Sequence, residues 1–136
     1  MELIIDANIL MSALISSQGK TFDLIFNEGL RLYAPEFLFE EIKKYKDEII
    51  QKSKISKSEF DLLFSIICTK IEIVSKEEFK GFINKAKKIT PDQDDTEYLA
   101  LALKLNCSIW SNDKQLKKQN YVRIINTIEL IKSNND

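Results

Sequence analysis

The chain holds 136 residues, of which 44% are apolar and 30% charged, the profile of one ordinary globular domain large enough for a single core. Its apolar runs fall far short of the roughly 18 residues that a membrane-spanning helix needs, and the opening MELIID shows no basic leader or cleavage site of a secretory signal. With 20 basic residues against 21 acidic ones, a net charge of −1, there is no bulk basic surface, so any nucleic-acid role must rest on local asymmetry.

In chain order, ELII at residues 2–5 reads as a short buried strand ending at Asp6. A first helix is expected from Asn8 to about Ser16, and a second from about Thr21 to Glu28, closed by Gly29 as C-cap. RLYA reads as a short strand, and Pro35 then opens a long amphipathic helix from about Glu36 to Gln51. Ser56 to Cys68 reads as a helix with Ser56 and Glu59 in capping-box spacing. IEIV at 71–74 alternates like a strand, and Ser75 with Glu78 marks another helix start. Thr90 to Leu105 reads as one buried helix, with Thr90 and Gln93 in capping-box spacing and Pro91 at its first turn. SIW at 108–110 and VRII at 122–125 read as strands, and Thr127 to Ser133 as a terminal helix. Strands alternating with helices indicate an α/β domain with a mainly parallel sheet, spanning residues 1–132 and followed by a frayed tail at 133–136.

Absences narrow the chemistry. Without histidine, imidazole is excluded as base or metal ligand. The glycines, Gly19, Gly29 and Gly81, form no phosphate-cradling motif. Two cysteines, Cys68 and Cys107, make no disulfide framework and fit a reducing cytoplasm. Cys68 and Trp110 read as core residues.

The acids are placed oddly. Asp6 and Asp113 each follow an apolar strand, where ligands of parallel α/β sheets bind; each also suits a turn cap. In the long helix, Phe37, Leu38, Ile42, Tyr45 and Ile49 form an apolar stripe on which Glu41 lies, whereas Glu40 faces Lys44 and Asp47. Asp92, Asp94 and Asp95 stand at the mouth of the buried helix. Asp92 suits the positive end of the helix dipole, and Asp95 continues the face of Leu99, Ala102 and Leu103. Asp94 aligns with Tyr98, Leu101 and Leu105. Burying several unpaired carboxylates together demands relief from basic side chains, shared protons or a divalent cation. No arginine is comparably placed, and oxygen-only ligands favour Mg²⁺ or Mn²⁺.

With IIDANIL, PEFLFEEI, DQDDTEYLALAL and SIWSNDKQL in this order, the chain resembles the PIN-domain family of metal-dependent ribonucleases over nearly its whole length. The resemblance implies a three-layer sandwich with a mainly parallel central sheet flanked by helices. It also implies an acidic quartet of Asp6, Glu41, Asp95 and Asp113 that is both catalytic and metal-binding, with Asp94 as a substitute or additional ligand and Asp92 a weaker one. Glu40 against Glu41 and Asp94 against Asp95 remain open as to register. Asn8 and Ser111 match positions that orient the first and last aspartates. The implied activity is hydrolysis of RNA phosphodiester bonds with one or two Mg²⁺ or Mn²⁺ ions. Lys43 and Lys44, or Lys114 and Lys117, would then neutralise RNA phosphates. Many small stand-alone members are toxins of toxin–antitoxin pairs, so an antitoxin partner and a homodimer are implied by analogy.

Two other readings compete: a non-catalytic RNA-binding or scaffolding PIN-like domain, and a receiver-like domain in which an aspartate accepts a phosphoryl group near Mg²⁺ with Lys114 as partner. The second needs neither an inward Glu41 nor the acids at 92–95.

Overall fold

Five short strands, all parallel, form the middle layer of the computed structural model, which describes residues 1–134. They are β1 (Glu2–Ile5), β2 (Arg31–Pro35), β3 (Ile71–Val74), β4 (Ser108–Trp110) and β5 (Ile124–Ile125), in the spatial order β3, β2, β1, β4, β5. Leu3, Ile4 and Ile5 of β1 are all fully buried, because a parallel strand covered on both faces has no solvent side on which to alternate polar residues.

The chain leaves β1 for β2 through α1 (Ala7–Ile15) and α2 (Lys20–Ile25), and β2 for β3 through α3 (Phe37–Ser53) and α4 (Lys57–Cys68). It returns from β3 to β4 through α5 (Lys76–Phe79), α6 (Ile83–Ile89) and α7 (Thr96–Leu105), and α8 (Thr127–Asn134) follows β5. Right-handed crossovers moving in opposite directions along the sheet must lie on opposite faces. The helices α1–α4, where α1 packs on α2, α3 and α4, therefore form one outer layer, and α5–α7 form the other. The result is a three-layer α/β sandwich. Strand order reverses between β1 and β4, which opens a crevice beyond the carboxyl ends of those two strands.

The innermost helix is α7. Tyr98, Leu99, Ala100, Leu101 and Ala102 are buried in succession, and α7 packs on β1, β2 and β4 as well as on α5 and α6. A helix apolar nearly all round has only such a buried place available. The buried apolar side chains make one continuous core. No helix among the described residues is long and apolar enough to cross a membrane.

Four expectations change. The stretch 90–105 is not one helix. Thr90 ends α6 in an extended conformation (φ −72°, ψ 131°), which is what the residue before a proline prefers. Its hydroxyl turns to the carbonyl of Asp92 instead of forming a capping box. Asp92 caps the next segment, accepting from the Asp94 N–H at 2.9 Å, and a single 3₁₀ turn at Gln93–Asp95 leads into α7. Gly29 does not cap α2, which stops at Ile25; the Gly29 N–H donates to Asn27 Oδ1 at 2.7 Å within the following turn. The left-handed helix caps are Lys54 (φ 60°) after α3 and Asn106 (φ 54°) after α7. The last strand is confined to Ile124 and Ile125, with the carbonyl of the preceding Arg123 accepting the Ile109 N–H at 3.0 Å. Finally, α8 runs to Asn134, so the remainder of the expected tail, residues 135 and 136, lies outside the described residues.

Ser56 forms its capping box with Glu59, whereas the Ser75 side chain makes no cap hydrogen bond. Ser56→Ala is expected to cost about 1 kcal/mol in urea unfolding and Ser75→Ala distinctly less. Equal losses would contradict this assignment.

Candidate metal centre

β1 and β4 are paired with Ile5 opposite Trp110, so the next residues of the two strands, Asp6 and Ser111, emerge side by side. Asp6 is the N-cap of α1, its Oδ1 accepting the Ile9 N–H at 2.9 Å. The Asn8 N–H and the Ser111 side chain also bond to its carboxylate. These bonds favour the charged form, but burial outweighs them and, with the nearby charge of Asp113, pushes Asp6 up to about 6. Ser111, itself fully buried, accepts the Asp113 N–H at 3.0 Å. One serine thus ties the first aspartate to the last. Asp113 Oδ1 accepts the Gln115 N–H at 2.9 Å. Both strand-end aspartates therefore do cap turns, as the simpler reading of each supposes, while Asp113 also lines the cleft.

Glu41 arrives from α3. Leu38, Ile42 and Ile49 are buried and Glu40 is exposed, so the apolar stripe turns Glu41 inward, where it is half-buried. Its Oε1 accepts the Tyr98 hydroxyl at 2.6 Å. Burial raises Glu41 above the usual carboxylate range, Tyr98 opposes the rise, and the charges of Asp6 and Asp94 add to it. Asp95 ends the 3₁₀ turn before α7. Burial pushes it up to about 7, reinforced by the charges of Asp113, Asp92, Asp6 and Glu41. Asp94 is exposed and borders Glu41 rather than Asp6.

Glu41, Asp92, Asp94, Asp95 and Asp113 line a single open cleft of about 500 Å³, with Asn8 and Tyr45 on its walls and Lys52 at its far end. Asp6 does not line the cleft; it is buried close by, near enough for its charge to act on Glu41 and Asp95. Among the described residues no three acidic side chains already converge tightly enough to hold an ion without moving. The acids frame the cleft. The donors are carboxylate oxygens from four chain segments, and no arginine lines the cleft. Lys52 is paired with Glu48 at 2.9 Å. That donor chemistry fits a hard divalent cation such as Mg²⁺ or Mn²⁺.

The remaining sequence candidates are placed as follows. Asn8 sits exposed at the cleft wall and reaches Asp6 through its backbone N–H. Lys44 lies over the Tyr45 ring at 5.4 Å and borders Glu41 and Asp94 in an adjoining recess. Lys43 and Lys114 are exposed, and Lys117 is paired with Glu129 at 3.0 Å. Tyr98, which in the sequence belongs to an apolar helix face, is a further residue at the site through its hydroxyl on Glu41. A buried tyrosine hydroxyl needs a partner, and its position three residues after Asp95 was the available signal.

A family model described as PIN domain matches residues 4–127. Among curated proteins no match is found. Among solved structures, the chain is similar to one described as VapBC2 from Rickettsia felis bound to a DNA fragment from their promoter, with a TM-score of 0.64 and 15% identity. That likeness covers 93% of this chain and 98% of the other, and it shows the fold.

A pH dependence follows from the raised carboxylates. Asp6 holds its proton to higher pH when folded than when unfolded, so between about pH 4 and pH 6 the folded chain binds more protons. The stability associated with protonated Asp6 is fully present below that window and is lost as pH rises through it, by roughly 3 kcal/mol. Urea unfolding in chelator-treated buffer at pH 4.5 and pH 7.5 checks this. Wild type should lose more stability over the interval than Asp6→Asn, and identical changes would refute it.

Proposed function

The chain belongs to the PIN-domain family, and on that footing we propose that it is a ribonuclease that hydrolyses RNA phosphodiester bonds at an acidic site for Mg²⁺ or Mn²⁺. The observation that carries this reading is the gathering of Asp6, Glu41, Asp95 and Asp113 at the strand-order reversal, the last three around one cleft, with Asp6, Glu41 and Asp95 raised by burial and by their neighbours' charges. Such a set is costly for the empty protein and suits one that takes up a cation.

Asp6 and Asp95 are the central ligands, and Glu41 and Asp113 complete the shell, with Asp94 as an additional donor from the exposed side. Such an ion, when bound, lowers the pKa of a coordinated water and stabilises the leaving oxygen. The chain's own contribution is to gather these carboxylates around one cleft before substrate arrives. Ser111 and the N–H groups of Asn8 and Ile9 orient Asp6, and Ser111 fixes the backbone at Asp113. Lys44 beside the acids, with Lys43, Lys114 and Lys117, neutralises RNA phosphates flanking the cut.

The likeness to VapBC2 supports a finer assignment, as the toxin of a toxin–antitoxin pair. In that role the chain acts in the cytoplasm as a homodimer and is held inactive by a cognate antitoxin.

The test is cleavage of a panel of single-stranded and structured RNAs in Mg²⁺, in Mn²⁺ and in EDTA. Wild type should cut only with metal, and Asp6→Asn should be slower by roughly 10²-fold or more. RNA bound but never cut, with or without metal, would favour a non-catalytic binding domain. Separately, Lys44→Ala should weaken RNA binding and lower the slope of log K against log salt by about 1. An unchanged slope would remove Lys44 from the RNA path.

A further inference from the structure

Tyr98 touches the acid cluster from outside the cleft. Its ring is buried in α7, with Phe37 packed edge-on at a centroid distance of 6.3 Å and an interplanar angle of 62°. Its hydroxyl reaches Oε1 of Glu41 at 2.6 Å. The two residues are 57 positions apart and belong to opposite outer layers of the sandwich, so the bond ties α3 to α7 across the crevice. The same segment that presents Asp95 thus grips the carboxylate facing it.

Packing alone would be served by phenylalanine here, so the hydroxyl points to a second role. Glu41 has three side-chain torsions to fix, and the negative charges of Asp6 and Asp94 act against its staying charged where it is. Lys44, one helical turn along α3, pulls toward the recess side. Tyr98 is the donor that holds the carboxylate inward. It occupies Oε1 and, among the described residues, leaves Oε2 without a hydrogen-bond donor while Glu41 lines the cleft.

We infer that Tyr98 is a positioning residue of this centre, pinning one oxygen of Glu41 so that the other is offered to the cation. The inference rests on the metal-dependent reading above and adds a residue to it. Loss of an outer partner of this kind typically weakens metal affinity by about 10–100-fold.

The experiment is calorimetric titration of the metal-free protein with Mn²⁺ at neutral pH, for wild type, Tyr98→Phe, Glu41→Gln and the double variant. Tyr98→Phe should bind Mn²⁺ about 10–100-fold more weakly, and in the Glu41→Gln background it should add little further loss. If wild type binds and Tyr98→Phe binds equally well, the inference fails and the metal reading stands. If wild type takes up no Mn²⁺, both fail. A second measurement leaves the packing intact: 3-fluorotyrosine placed at position 98 should show a ¹⁹F resonance that moves on saturation with Mg²⁺. A resonance unmoved by Mg²⁺ in a protein shown to bind it would overturn the positioning role, even if Tyr98→Phe does not fold.

Discussion

Like charges crowded into one cleft are the constraint on which this structure turns. Asp95 feels Asp113, Asp92, Asp6 and Glu41 at once, and Asp6 feels Asp113 from a site that is almost fully buried. A domain stable by only about 5–15 kcal/mol tolerates such an arrangement only where other parts of the fold hold it. Here the rigid parts do so. The pairing of β1 with β4 sets Asp6 beside Ser111, the first turn of α1 supplies backbone donors to Asp6, and α7, packed on the sheet, anchors the turn that carries Asp95.

The topology explains why the acids meet at this place. Each parallel strand delivers its next residue to the same edge of the sheet, and the reversal of order between β1 and β4 leaves that edge uncovered there. Asp6 and Asp113 come from the strands themselves. Glu41 and Asp95 come from helices in opposite layers, leaning in over the gap. No single segment holds more than a fraction of the site, so folding and assembly of the acidic cleft are one event. Two of the links are short side-chain bridges: Ser111 between the strand-end aspartates, and Tyr98 between the two helices.

Much of this was legible in the chain because each signal was local. The run Leu3-Ile4-Ile5 before Asp6 announces a doubly covered strand and its end, and the stripe Leu38, Ile42, Ile49 separates Glu41 from Glu40 by helical period alone. The parallel sheet followed from alternation of elements, and the three layers from the family resemblance. What failed was punctuation. At Thr90-Pro91 two rules competed: the capping-box spacing suggested a helix start, but the conformational bias that proline imposes on its predecessor won, and Asp92 took the cap one turn later. Gly29 suits a helix C-cap by residue type, but α2 stops at Ile25, before the glycine is reached. Tyr98 was missed for a different reason. Its role depends on a partner 57 residues away, and periodicity reports which face of a helix is buried without saying what lies opposite.

The central claim is that the acidic cleft exists to take up a divalent cation, and thermal unfolding tests it most directly. A ligand that binds only the folded chain raises its stability by mass action, about 2.7 kcal/mol at a hundredfold excess over Kd. The account predicts that Mn²⁺ or Mg²⁺ raises the Tm of metal-free wild type at neutral pH in a concentration-dependent way, and that Asp95→Asn, with the cleft otherwise intact, responds much less. A wild-type Tm that ignores both ions at millimolar concentration, or a mutant that responds equally, would contradict it.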